Sequence, residues 1–311
     1  MTSTASAPAP SVAPSRVLRV VAFAAIYLIW GASFLAIRIV VARVPPLLAA
    51  GVRFVIAGLA LFLWSAARGT ALPTLRQWRS AALVGVGMFA CNYGPVFWAE
   101  QRVSSGVTAI IASLIPVWVA ALECMRSARR VSARLLLGTA WGLAGVVSLS
   151  FTPQQITGQR IAPVALCALL FSTFAWAGGT VWSQRLPLPA AKPMSASIQM
   201  LLGGVAMLMV SLALGELPKF HVNAINRRVI FSMLYLILGA SILAFTAYIW
   251  LLGHEPSTRV ASYAYVNPVV AVMLGWALGG ETLSLQVILG MVLVLAGVVT
   301  VLGERKTSAH G

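Results

Sequence analysis

The side chains best able to recognise a small molecule are aromatic and amide groups set inside long apolar stretches. Trp30 stands beside Gly31 and Ser33, Asn92 and Tyr93 precede Gly94-Pro95, and Trp176 precedes Gly178-Gly179. Further along come Tyr248, Tyr263, Tyr265 and Asn267, the last directly before Pro268. Ring faces give broad apolar contact and a few amide or phenol groups fix orientation, a combination suited to non-covalent binding of an amphipathic molecule of amino-acid size. Packing explains the same residues in another way. Small residues beside Trp30 allow close helix contact, and Asn92 can satisfy its amide by an interhelical hydrogen bond.

Arg53 is the one arginine well inside an apolar stretch. It is there either as a carboxylate partner or as a side chain that snorkels to the nearer surface. All six acids are glutamates (Glu100, Glu123, Glu216, Glu255, Glu281 and Glu304), and none falls at the centre of an apolar stretch. Proton transfer across a bilayer therefore has no obvious carrier. Catalysis is not expected. There is no HExxH, no GxSxG and no aspartate at all, and His221, His254 and His310 lie in loops or the tail. Cys91, Cys124 and Cys167 fall in or at the ends of apolar stretches and read as small hydrophobes. No metal-ligand spacing accompanies them, so neither metal nor cofactor is expected.

The composition dictates what kind of element must hold these residues. Of 311 residues, 60% are hydrophobic and 9% charged, with 22 basic and 6 acidic side chains. A water-facing domain carries about a quarter of its residues charged, so lipid must replace water over much of the surface. The uncharged runs 20–37, 80–99, 103–122, 135–159, 161–184, 193–215, 229–253, 260–280 and 282–303 are 18 to 25 residues long. A spanning helix needs about 20 residues. The run Phe54 to Ala67 becomes a tenth span if Arg53 is admitted and the helix starts near Pro46. The fold class is all-α integral membrane, with ten transmembrane helices. Residues 1–15 and 304–311 read as tails, the first disordered and too neutral to begin a signal peptide.

With the N-terminus in the cytoplasm, 14 of the 22 bases fall on the cytoplasmic side, 7 on the other and Arg53 within a helix. Both termini are therefore expected to be cytoplasmic. Bases dispersed among loops in this way answer anionic lipid, and no nucleic-acid partner is expected.

Shifting the chain by 152 residues lays LAGVV at Leu143–Val147 onto LAGVV at Leu295–Val299. The same shift pairs Ala109 with Ala261, Pro116 with Pro268, Val117 with Val269, Ser132 with Ser284 and Gly138 with Gly290. Two repeats follow, residues 16–152 and 160–303, with five helices each. An odd number of spans turns the second repeat the other way up. The loop CMRSARRVSAR carries four arginines, while its counterpart GWALGGETLSL carries one glutamate and no base, as loops on opposite sides of a bilayer should. Inverted repeats recur in transporters, with the binding site near the midplane between the halves.

The residues Trp30-Gly31-Ala32-Ser33-Phe34, Arg53-Phe54, Asn92-Tyr93, Ser113-Leu114-Ile115-Pro116-Val117, Gly138, Gly145, Val266-Asn267-Pro268-Val269, Gly280-Glu281, Gly290 and Gly297 carry a family likeness in this order. Over roughly residues 17–303 the chain resembles the drug/metabolite transporter superfamily, and specifically the ten-helix bacterial exporters built from two EamA-type repeats. Within it, the chain is most similar to amino-acid and metabolite exporters, including those for aromatic amino acids. It departs from the pattern at Arg129-Arg130, where the second repeat has Glu281.

The resemblance implies an inner-membrane exporter of amino acids or related small metabolites, with membrane lipid and the small substrate as its partners; a monomer is favoured, with an oligomer left open. It would work by alternating access, and the missing mid-span acids favour facilitated export down a gradient, or coupling through a less obvious group, over a proton relay. A multidrug or cationic-compound exporter is the alternative, because aromatic walls bind cations. The expected substrate-binding residues are Trp30, Ser33, Asn92, Tyr93, Trp176, Tyr248, Tyr265 and Asn267, and Pro95, Pro116 and Pro268 are expected kinks or gating points.

Overall fold

The computed structural model of the protein describes residues 16–127, 132–149, 163–255, 260 and 262–302. Seven helices within them are long and apolar enough to cross a membrane. These are α1 (Arg16–Val41), α2 (Pro46–Ala67), α3 (Leu75–Ala99), α4 (Ser105–Arg126), α6 (Pro163–Ser183), α7 (Lys192–Ala213) and α8 (Arg227–Leu251). Three shorter apolar helices, α5 (Ala133–Leu149), α9 (Tyr263–Gly279) and α10 (Leu285–Leu302), bring the described set to ten. The expected tail at residues 1–15, Arg129-Arg130 and the far end of the run that contains α5 lie outside the described residues.

Local chemistry sets the helix ends. Pro46 sits in the first turn of α2, where its missing N–H is no loss. Ser104 caps α4 by accepting from the Val107 N–H, and Asn226 caps α8 by accepting from that of Val229. Gly280 closes α9 in the left-handed conformation at φ 66°. α1 extends beyond its uncharged run at both ends and takes in Arg16, Arg19 and Arg38.

Packing follows an exchange rule. α2 lies along α7, α5 along α10 and α4 along α9, while α1 packs on α8 as α6 packs on α3, and α1 on α9 as α6 on α4. Replacing each helix by the one five places away maps these pairs onto one another, although the α4–α10, α1–α4 and α2–α3 contacts have no comparably close counterpart. The two five-helix repeats are thus related by an internal two-fold, and the odd number of spans makes the duplication an inverted one. Glycines give the rule atomic detail. A Cβ on Gly145 would stand 2.9 Å from the Gly290 carbonyl oxygen, and one on Gly297 would stand 2.5 Å from that of Gly138. The offset of 152 residues carries one contact onto the other.

Irregular turns gather where α1, α3 and α8 approach the centre. Residues Ala25–Ile29 of α1, Val86–Ala90 of α3 and Tyr235–Leu243 of α8 form widened π-helical turns. α4 is interrupted at Ser113-Leu114, and Pro116 lies in the first turn after the break. Pro95 and Pro268 sit inside helical segments that continue past them.

Candidate functional site

Six helices bring eight rings together. Trp30 of α1 lies 5.2 Å from Tyr248 of α8 and 5.2 Å from Tyr263 of α9. Tyr248 continues to Phe245 at 6.0 Å, and Phe245 to Phe89 of α3 at 6.3 Å. Phe89 meets Trp176 of α6 at 6.1 Å, Tyr93 meets Trp176 at 5.9 Å, and Phe54 of α2 meets Tyr93 at 4.7 Å. Tilted and edge-to-face geometries dominate, as ring quadrupoles prefer. Phe54, Phe89, Trp176 and Phe245 are buried, whereas Trp30, Tyr93, Tyr248 and Tyr263 are only half-buried.

The widened turns of α1 and α8 face each other across this cluster. The Trp30 indole N–H donates to the Ala240 carbonyl at 3.0 Å, and the Tyr235 hydroxyl donates to the Ile29 carbonyl at 2.8 Å. A side chain from each helix thus donates to one backbone carbonyl in the widened turn of the other.

Arg53 stands at the edge of the ring cluster and does not snorkel, with only 1% of its surface exposed. Its guanidinium lies 4.6 Å from the Phe54 ring centre and 5.1 Å from that of Tyr93. Its Nε donates to Ser241 Oγ at 2.9 Å, while Nη1 is buried with no hydrogen-bond partner.

Of the residues expected to bind substrate, Trp30, Tyr93, Trp176 and Tyr248 meet in the cluster. Ser33 donates to the Trp30 carbonyl of its own helix at 2.6 Å. Asn92 donates to the Ser172 carbonyl at 2.9 Å, tying α3 to α6. With its amide oriented by the surrounding acceptors, Asn267 donates to the carbonyls of Tyr27 at 3.1 Å and Tyr263 at 3.3 Å, tying α9 to α1. Tyr265 is half-buried and makes none of the ring contacts of the cluster, where Tyr263 stands instead. Phe89, Phe245 and Ser241 are site residues that the sequence did not single out. Ring pairs at helical spacing, Phe89 with Tyr93 and Phe245 with Tyr248, were the available signal.

The chain matches the EamA-like transporter family over residues 18–151 and again over residues 163–303. It belongs to that family. An Escherichia coli protein named as an uncharacterized inner membrane transporter, YedA, is 38% identical over 288 residues, covering 90% of this chain and 89% of its own. A Salmonella typhimurium protein named as a probable amino-acid metabolite efflux pump is 27% identical, covering 90% of this chain and 93% of its own. Protein PecM of Dickeya dadantii is 27% identical over 280 residues, covering 88% of each chain. A solved crystal structure shares the fold with a TM-score of 0.63 at 20% identity, covering 92% of this chain and 98% of that one. The protein is a multi-pass membrane transporter of two EamA units.

Among the described residues, the acids lie at or near helix ends. Glu281 accepts from the Arg38 guanidinium at 3.0 Å, from the Ser105 hydroxyl and N–H at 2.7 and 2.8 Å, and from the Gly106 N–H at 3.2 Å. It therefore caps the N-terminus of α4, where a helix favours negative charge. Glu216 does the same for α2, accepting from the Leu48 N–H at 2.9 Å and the Leu47 N–H at 3.4 Å. Glu100, just past α3, is 1% exposed and neither oxygen has a partner. Burial first, and then neighbouring Glu281, push its carboxyl well above the usual range, against the pull of Arg38 and Arg53. Among the described residues, no cluster of His, Cys, Asp and Glu could hold a metal ion.

Proposed function

We propose that this transporter exports amino acids or related small metabolites, aromatic and other neutral amino acids foremost, across the inner membrane by alternating access. One observation carries this reading: eight rings from six helices converge with one guanidinium among them, and among the described residues no acid hydrogen-bonds or ion-pairs with that guanidinium. Ring walls beside a fixed cation suit a ligand with an apolar side chain and an anionic group. Trp30, Tyr93, Trp176 and Tyr248 form the wall, with Asn92 and Asn267 holding the helices that frame it. The Ser113-Leu114 break ahead of Pro116, together with Pro95, Pro268 and the three widened turns, supplies the places where the helices bend. The name of the Salmonella relative supports amino-acid metabolites as cargo. The bias of basic residues supports cytoplasmic termini. With no acid in the ring cluster, facilitated export is favoured over proton coupling.

Reconstituted liposomes test the proposal. Labelled neutral amino acids should show saturable, trans-stimulated flux, and Trp30→Ala and Tyr93→Ala should abolish it while folded protein stays abundant. Normal flux in both variants would place the pocket elsewhere. Flux of aromatic cations in place of amino acids would favour the cationic-compound alternative.

A further inference from the structure

We propose that the Nη1 edge of Arg53 receives the carboxylate of the substrate, so that the cargo is a compound joining one carboxylate to an apolar or aromatic body. This rests on the amino-acid reading of the ring cluster and specifies how the amino acid is held. A guanidinium cannot shed its charge to relieve burial, and it presents five N–H donors in a rigid fork. In Arg53 one edge is anchored, because Nε donates to Ser241 Oγ at 2.9 Å. One face is covered by the rings of Phe54 and Tyr93 at 4.6 and 5.1 Å. Nη1 is left as a donor buried without a partner.

A buried, unmet donor on a permanent cation is expensive, and among the described residues no carboxylate hydrogen-bonds to it. The Arg38 and Arg19 ion pairs, with Glu281 and Glu255, lie at helix ends. Glu100, the remaining buried acid of this region, has both oxygens unpartnered and so makes no hydrogen bond to Arg53. The partner that completes the site therefore comes from outside the described side chains, and the complement of a guanidinium edge is a carboxylate. Tyr93 belongs to both the guanidinium and the ring wall, so a ligand bound at Nη1 places its apolar body against Tyr93 and Trp176. Ser241 acts as a positioning residue that fixes the angle of the fork.

The test pairs L-phenylalanine, L-tryptophan and L-leucine with their amides, which keep the side chain and the ammonium but lack the carboxylate. Wild-type protein in liposomes should favour each acid over its amide by roughly 10- to 100-fold in half-saturating concentration, the worth of a charge-assisted hydrogen bond. Arg53→Lys keeps the charge but loses the fork, and it should weaken the acids by at least 10-fold more than it weakens the amides, roughly the worth of a charge-assisted hydrogen bond. A purely structural role for Arg53 would weaken acids and amides alike, and that result overturns the proposal. Equal handling of acids and amides by wild-type protein overturns it as well, even if no Arg53 variant folds, and leaves the ring pocket intact as the transport site. Wild-type protein that carries none of the six compounds overturns the amino-acid reading and the carboxylate assignment with it.

Discussion

At the α5–α10 seam, Gly145 meets Gly290 and Gly297 meets Gly138, one contact made twice at an offset of 152 residues. At the α2–α7 seam an offset of 153 carries Gly51 onto Gly204 and Val55 onto Leu208, and again each glycine faces the partner of the other. Two residues along from Gly51, the same offset carries Arg53 onto Ala206. The helix that repeats its packing face thus does not repeat its cation. A seam needs only shape, and duplication supplies the same shape twice. A ligand with a single carboxylate has no use for two guanidinium groups, and a second buried cation would cost desolvation with nothing to offset it. The seam contact is repeated and the cation is not, as the carboxylate proposal for Arg53 requires.

The largest expected effect separates the two acids that cap helices. Glu281 pairs with Arg38 and caps α4, while Glu216 caps α2 through backbone N–H groups and the Ser211 hydroxyl. Glu281→Ala should cost about 3–5 kcal/mol, since it leaves a partly buried guanidinium unpaired. Glu216→Ala should cost about 0.5–2 kcal/mol, the range for a lost cap. Thermal unfolding of the purified protein in detergent ranks the two, and an equal loss would show that Arg38 gains nothing from its pair. Next in size are the seam glycines. Gly145→Val and Gly297→Val should each cost about 1–3 kcal/mol by overpacking, since each new side chain meets the carbonyl of a facing glycine, although Gly145 also faces the Val294 side chain where Gly297 faces Gly142. No loss in either variant would show that close glycine contact does not hold this seam.

The scaffold was largely readable from the chain because lipid imposes a coarse code. Ten apolar stretches punctuated by charge give ten helices, and admitting Arg53 starts the second at Pro46, where α2 begins. Trp30, Tyr93 and Trp176 stood out as Trp and Tyr rings beside small or amide residues inside apolar stretches, and Tyr248 as a phenol within one. Other features depend on partners far away in sequence. One carbonyl in each widened turn of α1 and α8 accepts from a side chain of the other helix across 206 and 210 residues, a match no local pattern announces. Tyr263 and Tyr265 look equivalent in the chain, but residues two apart on a helix face opposite ways, so only one can join the rings. Counting residues from the end of the span left Arg53 open to snorkelling; its burial is decided by Phe54, Tyr93 and Ser241.

The smallest effect falls on the boundary between scaffold and site, at the adjacent residues Asn92 and Tyr93. The Asn92 amide donates to the Ser172 carbonyl and ties α3 to α6, while the Tyr93 ring turns to Phe54 and Trp176. Interhelical hydrogen bonds within membranes contribute about 0.6 kcal/mol on average, since the freed groups find other partners in the bundle. Asn92→Ala should therefore lower the unfolding temperature only slightly and leave the half-saturating amino-acid concentration where it was. Tyr93→Ala, one position along, should abolish flux. A large rise in half-saturating concentration in Asn92→Ala, with stability intact, would move Asn92 from the frame into the pocket and shift the boundary by one helix face.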